Sequence, residues 1–153
     1  MTPSETTTPS AATASSPMEV LTEQDCWDTL RRLEFGRLAY AVDGHLDMAP
    51  INYAVHNGEI VFRTAEGSKL SAVLVGEEVV FEVDEVSGEE AVSIIMRAIP
   101  REFPHDEARW ADQMRLRPWV STIKEHVVGL RPIQMSGRKF HLSRTWLSLR
   151  PRG

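Results

Sequence analysis

Two tight turns separate three short runs with strand character in the first half of the chain, and they constrain the fold more than any other feature. Asp43-Gly44 follows the run 38–42, and His56-Asn57-Gly58 follows the run 47–55 and precedes a third run at 59–64. Both turns suit β-hairpins, because Asn, Asp and Gly tolerate the positive φ that two-residue hairpin loops require. The segment therefore predicts three antiparallel strands in a meander.

Short helices and further strands are predicted on either side of the meander. Thr22 is a candidate N-cap, followed by acidic residues and an apolar face, which predicts a helix ending near residues 34–36. Further helices are predicted over 68–75 and from Pro104 to about Met114. Strands are also predicted over 79–84, 91–99, 125–133 and 138–142, with Ser136-Gly137 as a turn between the last two. Six or seven short antiparallel strands with helices at the ends indicate a mainly β barrel.

Composition indicates one soluble domain. Residues 1–17 are almost all Ser, Thr, Ala and Pro, which predicts a disordered tail. The folded domain is predicted over residues 18–149, with a short tail at 150–153. The net charge of −5 argues against a nucleic-acid partner, because phosphate contacts need clustered Lys and Arg. No apolar run approaches the roughly 20 residues of a membrane span, and the single cysteine, Cys26, favours a reducing cytoplasm.

The segment from Ile60 to Leu70 carries the most informative chemistry. Arg63-Thr64 ends a predicted strand, and Gly67-Ser68-Lys69 begins a predicted helix. A guanidinium, two hydroxyls, an ammonium and helix N-terminal amides then lie close together, which suits a phosphate dianion. The alternative is that a hydroxyl merely caps the helix and the basic side chains are solvated.

The segments that surround this motif resemble a known family. They are Gly36–Ala39, Pro50–Tyr53 and Val61–Thr64 with Gly67–Lys69, and the similarity runs from about Leu21 to Phe140. They resemble the FMN-binding split-barrel family, which includes pyridoxamine 5′-phosphate oxidases, nitroimidazole-resistance-type proteins and flavin/deazaflavin oxidoreductases. The resemblance implies a six- to seven-stranded antiparallel split β-barrel that forms a homodimer, with the cofactor between the subunits.

The resemblance also implies cofactor-binding residues. These are Arg63, Thr64, Ser68 and Lys69 at the flavin phosphate, and Pro50, Ile51, Asn52 and Ser93 at the isoalloxazine ring. The sequence departs from the family pattern at Ala91 and Arg97-Ala98, where many relatives have Trp and Arg-Gly. Residues 138–144 match the substrate-binding signature of pyridoxamine-phosphate oxidases only loosely, so vitamin B6 synthesis is not the expected activity.

Three functions follow from the resemblance. The first is an FMN-dependent oxidoreductase acting on a small organic substrate, in which the cofactor carries the hydride chemistry. The second is the same fold with the deazaflavin F420, whose charged tail needs an extended basic groove; Arg37, Arg63, Lys69 and Lys124 are few for that purpose. The third is a non-catalytic flavin or haem binder that acts as a carrier or sensor.

The remaining reactive and aromatic residues are interpreted as structural. The five histidines have no metal-ligand spacing, so no metal site is predicted. Cys26 lies on an apolar helix face and is expected in the core. Trp110 and Trp119 bracket a possible lid, and Trp146 lies near the C-terminus. Each could cover a pocket, although packing in the core or at a dimer interface is the favoured interpretation.

Overall fold

The computed structural model describes residues 17–65, 68–113 and 126–142, without the side chains of residues 68, 69, 112 and 113. The elements within these ranges are β1 (Met18–Val20), α1 (Glu23–Arg32), β2 (Phe35–Val42), β3 (His45–Asn52), β4 (Ala54–His56), β5 (Glu59–Thr64), α2 (Ser68–Leu74), β6 (Val79–Ser87), β7 (Glu90–Phe103), a 3₁₀ helix (Arg109–Gln113) and β8 (His126–His141). Neither α-helix is long and apolar enough to cross a membrane.

The predicted meander and its turns are confirmed. β2 pairs with β3, and β4 pairs with β5, both antiparallel. The turn residues have left-handed backbone angles, with φ of 50° at Asp43, 75° at Gly44, 48° at Asn57 and 71° at Gly58. These angles are those of the turns that match the twist of paired strands, so local sequence chemistry determines both hairpins.

The sheet curls on itself, because its two end strands are joined by a single residue. Its order is β3-β2-β6-β7-β8-β5-β4, with β1 paired to β8. The two ends of this order, β3 and β4, are consecutive in the chain and separated by Tyr53 alone, so the sheet must curl until its ends meet. Tyr53 is buried, and its hydroxyl donates a hydrogen bond to the Leu30 carbonyl at 2.8 Å. The split barrel predicted from the sequence is therefore confirmed.

The main core fills the inside of the curled sheet. Alternate residues of each strand point inward, as expected for a sheet with one buried face, and Leu38, Phe62 and Phe81 are fully buried there. Both helices contribute to the same core, α1 through Leu30 and α2 through Val73. As predicted, α1 begins at an N-cap threonine, Thr22, whose side chain accepts a hydrogen bond from the Asp25 amide at 3.1 Å.

A second, smaller cluster covers part of the outer face. Val61 of β5, Phe103 of β7 and Val127 of β8 pack against two alanines. Ala108 lies just before the 3₁₀ helix, and Ala111 lies within it. The predicted α-helix from Pro104 to about Met114 is instead this shorter and tighter element, and residue 114 lies outside the described part.

The predicted turn at Ser136-Gly137 is wrong, because β8 runs unbroken through both residues. Gly137 is buried where β8 meets α1, and an added Cβ would collide with the Cys26 sulfur and lie 3.2 Å from Leu21. Glycine is needed here for close packing of a helix on a strand.

β7 also extends further than predicted, through Pro100 to Phe103. Pro100 pairs with Leu130 of β8, whereas the pairing of β6 with β7 reaches only Ala98. At Pro100, β7 has no partner strand on its β6 side, so the N–H group that proline lacks is not needed there. The tails predicted at 1–17 and 150–153 lie outside the described residues except for Pro17, and the predicted domain boundaries stay predictions.

Candidate functional site

Two of the segments implied by the family resemblance meet on the outer face of the barrel. Ala54 lies opposite Val61 in the β4–β5 pair, so continuing this register by two residues sets Asn52 opposite Arg63. β3 also contacts β5 directly. The neighbours Tyr53 and Phe62 are buried inside, so Asn52 and Arg63 point outward by strand alternation.

The Asn52 side chain is held in one orientation, and its oxygen has no donor among the described residues. Its Nδ2 donates to the Glu34 carbonyl at 2.9 Å, which fixes which end of the amide is oxygen. Its Oδ1 is buried and accepts no hydrogen bond from any described residue. A buried polar atom without a partner costs about 1–3 kcal/mol, so this oxygen is a candidate acceptor for a ligand N–H group.

The residues proposed for the phosphate are placed at the end of β5. Arg63 and Thr64 are half-buried, and the Thr64 hydroxyl donates to the Ala65 carbonyl at 3.2 Å. Ser68 and Lys69 begin α2, as predicted, but their side chains lie outside the described part. The backbone thus brings the four residues to one region, while the direction of the last two side chains stays a prediction.

The remaining residues assigned to the ring divide into three environments. Pro50 is exposed on the outer face opposite Arg37. Ile51 is buried in the core, so only its backbone can meet a ligand on the outer face. Ser93 lies on β7 opposite Asp84 of β6, with β2 and β6 between it and β3. Three strand spacings separate Ser93 from Asn52, about 14 Å, so one chain does not bring these two together.

A charged cluster on the outer face was missed by the sequence analysis. Arg37 Nη1 lies 3.2 Å from Glu82 Oε2 and 3.4 Å from Asp84 Oδ2. Burial raises the pKa of the Glu82 carboxyl, the neighbouring Asp84 raises it further, and Arg37 opposes the rise. The alternation of Glu82 and Asp84 does indicate one strand face, but no local pattern reveals that β2 pairs with β6.

A histidine–carboxylate pair beside Thr64 was also missed. His126 of β8 is the register partner of Thr64, and its Nδ1 is hydrogen-bonded to Glu102 Oε1 on β7. The ring of His105 lies 6.5 Å from that of His126. His126 and Glu102 are 24 residues apart in the sequence and meet because β7 pairs with β8. No residue spacing in the sequence indicates this contact. Within the described ranges, no group of three or more His, Cys, Asp and Glu could hold a metal ion.

The one tryptophan of the possible lid that lies in the described part has a packing role. Trp110 stacks on His56 with ring centroids 3.8 Å apart and an interplanar angle of 8°. It also contacts Phe103 edge-on at 5.1 Å. This agrees with the packing interpretation. Trp119 and Trp146 lie outside the described residues.

Comparison with known proteins identifies the family. The family model of pyridoxamine 5′-phosphate oxidase matches residues 22–139. The chain belongs to this family.

Two solved structures are similar over most of their length. A pyridoxamine 5′-phosphate oxidase-like protein of Corynebacterium glutamicum is 32% identical with a TM-score of 0.75, over 85% of this chain and 98% of that one. The FAD-binding protein of Mycobacterium smegmatis is 36% identical with a TM-score of 0.71, over 82% of this chain and 100% of that one. An uncharacterised protein of Mycobacterium tuberculosis is 34% identical over 87 residues, which are 56% of this chain and 79% of that protein. The family resemblance inferred from the sequence motifs is thus confirmed.

Proposed function

We propose that the protein is a flavin-dependent oxidoreductase that holds FMN on the outer face of the barrel. The observation that carries the proposal is the buried Asn52 Oδ1, which accepts no hydrogen bond from the described residues. The pyrimidine edge of a flavin presents an N–H donor, which this oxygen could accept. Because the Nδ2 of Asn52 is held by the Glu34 carbonyl, the acceptor is fixed in place before any ligand binds, which lowers the cost of ordering on binding.

The phosphate end of the cofactor is assigned to Arg63 and Thr64, with Ser68 and Lys69 as predicted contributors. Arg63 lies in the row of Asn52 on the same outer face, and a guanidinium can hold a phosphate through two parallel hydrogen bonds. The same four positions carry the resemblance to the family, whose model covers them.

A bound flavin would supply the hydride or electron transfer itself. The described residues around Asn52 and Arg63 would bind and orient it. The exposed Pro50 offers an apolar contact beside the ring, and the buried Ile51 holds the strand in position from inside the barrel. The described residues are proposed to bind and orient the flavin, and none of them is proposed to transfer a proton.

FAD is a second candidate cofactor, because the M. smegmatis relative, at 36% identity, is an FAD-binding protein. F420 is less favoured, since Arg37, one of the few cations available for its charged tail, is already bound by Glu82 and Asp84. A non-catalytic flavin carrier would use the same contacts. It would differ from an enzyme in that no substrate oxidises or reduces the bound flavin faster than it does free flavin.

We also propose that the protein is a homodimer that pairs through this outer face. Phe35, Met48 and Ile95 project from it with 47%, 61% and 46% of their surface exposed. Exposed apolar side chains that share one face are typical of an interaction surface, and a two-fold axis allows one patch to pair with its copy. Sedimentation should give a dimer mass, and Met48→Glu should shift it towards the monomer.

The experiment that tests the cofactor site compares FMN with riboflavin, which lacks the phosphate. In titrations of cofactor-free protein, Arg63→Ala should weaken FMN binding at least about tenfold, because hydrogen bonds to charged groups contribute roughly 1.5–3 kcal/mol. Riboflavin binding should not change. Arg97→Ala, which removes an exposed arginine on another part of the outer face, is the matched control and should leave both affinities unaltered.

A second variant tests the ring end separately. Asn52→Leu removes the acceptor and should weaken FMN and riboflavin by the same factor, since both carry the same ring. FMN affinity that is unchanged in Arg63→Ala would refute the phosphate assignment. Wild-type protein that binds neither FMN nor FAD would refute the flavin proposal as a whole.

A further inference from the structure

A cavity lies between the start of α1 and the middle of β8, on the inward side of the sheet. Its volume is about 240 Å³, and it is lined by Leu21, Glu23, Cys26, Trp27, Pro132, Ile133, Gln134 and Met135. Met135 packs against the main core, and Gly137, two residues further along β8, meets α1. This side of β8 therefore faces α1, whereas Asn52 and Arg63 point outward, so the sheet separates the cavity from the proposed flavin site.

A β-bulge in β8 shapes one wall of the cavity. Ala98 of β7 pairs with Pro132, whereas the preceding Arg97 pairs with Gln134. Ile133 is therefore an extra residue in β8, and it is 56% exposed. A bulge bends its strand and redirects the side chains around it. The space is thus built into the strand, because the bulge lies between two stretches of regular pairing.

The walls of the cavity are mostly apolar and fit a single ring. Trp27, Ile133 and Met135 line it with an indole ring, a branched alkyl group and a thioether, and both the indole and the thioether make favourable contacts with aromatic rings. An apolar cavity of about 150 Å³ is enough to hold benzene, and pockets for drug-sized ligands have roughly 300–1,000 Å³. At about 240 Å³, the cavity has room for one aromatic ring with a short side chain.

The mouth of the cavity carries a net negative charge. Among the described residues that line it, Glu23 alone is charged, and it is exposed. Asp25 lies in the same first turn of α1. The N-terminus of a helix carries about half a positive charge, which these two carboxylates exceed. Burial raises the pKa of the Cys26 thiol, and the carboxylates of Asp25 and Glu23 raise it further, so their field reaches into the cavity.

We propose that this cavity is a second ligand site, which binds a small ammonium ion attached to a single aromatic ring. The ring lies against Trp27 and Met135, and the ammonium group donates hydrogen bonds to the Glu23 carboxylate at the mouth. The same carboxylate repels an anionic ligand. No residue of this cavity is assigned to the flavin, so the site is independent of the proposed function.

The test uses three probes of nearly the same shape that differ in charge: phenethylamine, phenethyl alcohol and phenylacetate. Each is titrated into the full-length protein, with and without FMN, while NMR follows the amide signals of residues 23–27 and 133–135. Phenethylamine should bind most tightly and phenylacetate most weakly. Glu23→Gln should weaken phenethylamine about fivefold, the upper range for an exposed ion pair, and should leave phenethyl alcohol nearly unchanged. Glu90→Gln makes the same chemical change at the opposite end of the β7–β8 pair and should leave all three affinities unaltered.

The outcomes separate the cation preference, the position of the site and the proposed function. Phenylacetate that binds as tightly as phenethylamine, or a Glu23→Gln variant with unchanged phenethylamine affinity, would overturn the cation preference. Amide signals of residues 133–135 that move with none of the probes would overturn the site itself. FMN that displaces phenethylamine would show that the two sites overlap and overturn the second site. If the protein binds no flavin, the proposed function fails, and the probe order in the cofactor-free protein still decides the cation preference.

Discussion

Gly137 is packed so closely against α1 that a side chain at this position should destabilise the fold. Alanine at this position would place its Cβ against the Cys26 sulfur and 3.2 Å from the Leu21 side chain. Overpacking of a well-packed site costs about 1–3 kcal/mol, so we expect Gly137→Ala to lower the free energy of unfolding by about 2 kcal/mol. Cys26→Ala removes a single buried heavy atom, which typically costs about 1 kcal/mol.

The double variant distinguishes lack of space from backbone conformation. Cys26→Ala removes the sulfur that the added methyl group would meet, so the double variant should be less destabilised than the sum of the two single changes, by about 1 kcal/mol. Gly88→Ala is the control: Gly88 has φ of 60° and nothing within 4 Å of an added Cβ. Its cost should come from the left-handed backbone and should simply add to that of Cys26→Ala.

The assay is urea unfolding followed by circular dichroism, with the four proteins of each cycle measured at one temperature. Additivity of Gly137→Ala and Cys26→Ala within about 0.5 kcal/mol would refute the crowding argument. Glycine would then be needed at this position for a reason other than the contact between β8 and α1.

Three further predictions concern groups that join the elements. Tyr53→Phe removes the hydrogen bond from the buried hydroxyl to the Leu30 carbonyl and should lower the free energy of unfolding by about 1 kcal/mol in urea titrations. Arg101→Ala leaves the buried Glu59 carboxylate without the two hydrogen bonds of 2.9 and 2.8 Å that it accepts. We expect a loss of about 2 kcal/mol, which Arg101→Lys should restore only in part. Burial raises the pKa of Glu82 above its ordinary value of 4.5, so the folded state binds this proton more tightly than the unfolded state. Its contribution should be fully present below that ordinary value and lost as the pH rises through the folded pKa, and Glu82→Gln should remove this part of the pH dependence of stability.

Features that depend on adjacent residues could be predicted from the sequence. The turns at Asp43-Gly44 and Asn57-Gly58 need positive φ, and both have it. Thr22 has a hydroxyl where α1 needs an acceptor, and it caps the helix. Each of these features depends on residues within four positions of one another, so the residue types there are sufficient to predict it.

Features that depend on pairing between distant strands could not be predicted. Arg37 meets Glu82 because β2 pairs with β6, and His126 meets Glu102 because β7 pairs with β8. Gly137 shows the same limit in another form: glycine is common in turns and at close contacts alike, and only the position of α1 decides between them.

The candidate site combines both kinds of feature, and the binding roles of its residues stay predictions. Motif resemblance selected Asn52 and Arg63, and the β4–β5 register, continued past Tyr53, sets both in one row of the outer face. The Asn52 oxygen accepts no hydrogen bond within the described part of the chain, and its orientation depends on the Glu34 carbonyl lying beside it, which no sequence pattern reveals. The distance between Asn52 and Ser93 likewise depends on the order of the strands.

β3 and β4, which are joined through Tyr53, link the two hairpins. β3 pairs with β2 in the first hairpin, and β4 pairs with β5 in the second. A slip of one residue in a hairpin moves every inward side chain to the opposite face, and a slip that displaces β3 also displaces β4, because Tyr53 alone separates them. A displacement of β3 or β4 therefore carries the penalty of both hairpins, which disfavours that class of alternative alignments in this β-rich chain.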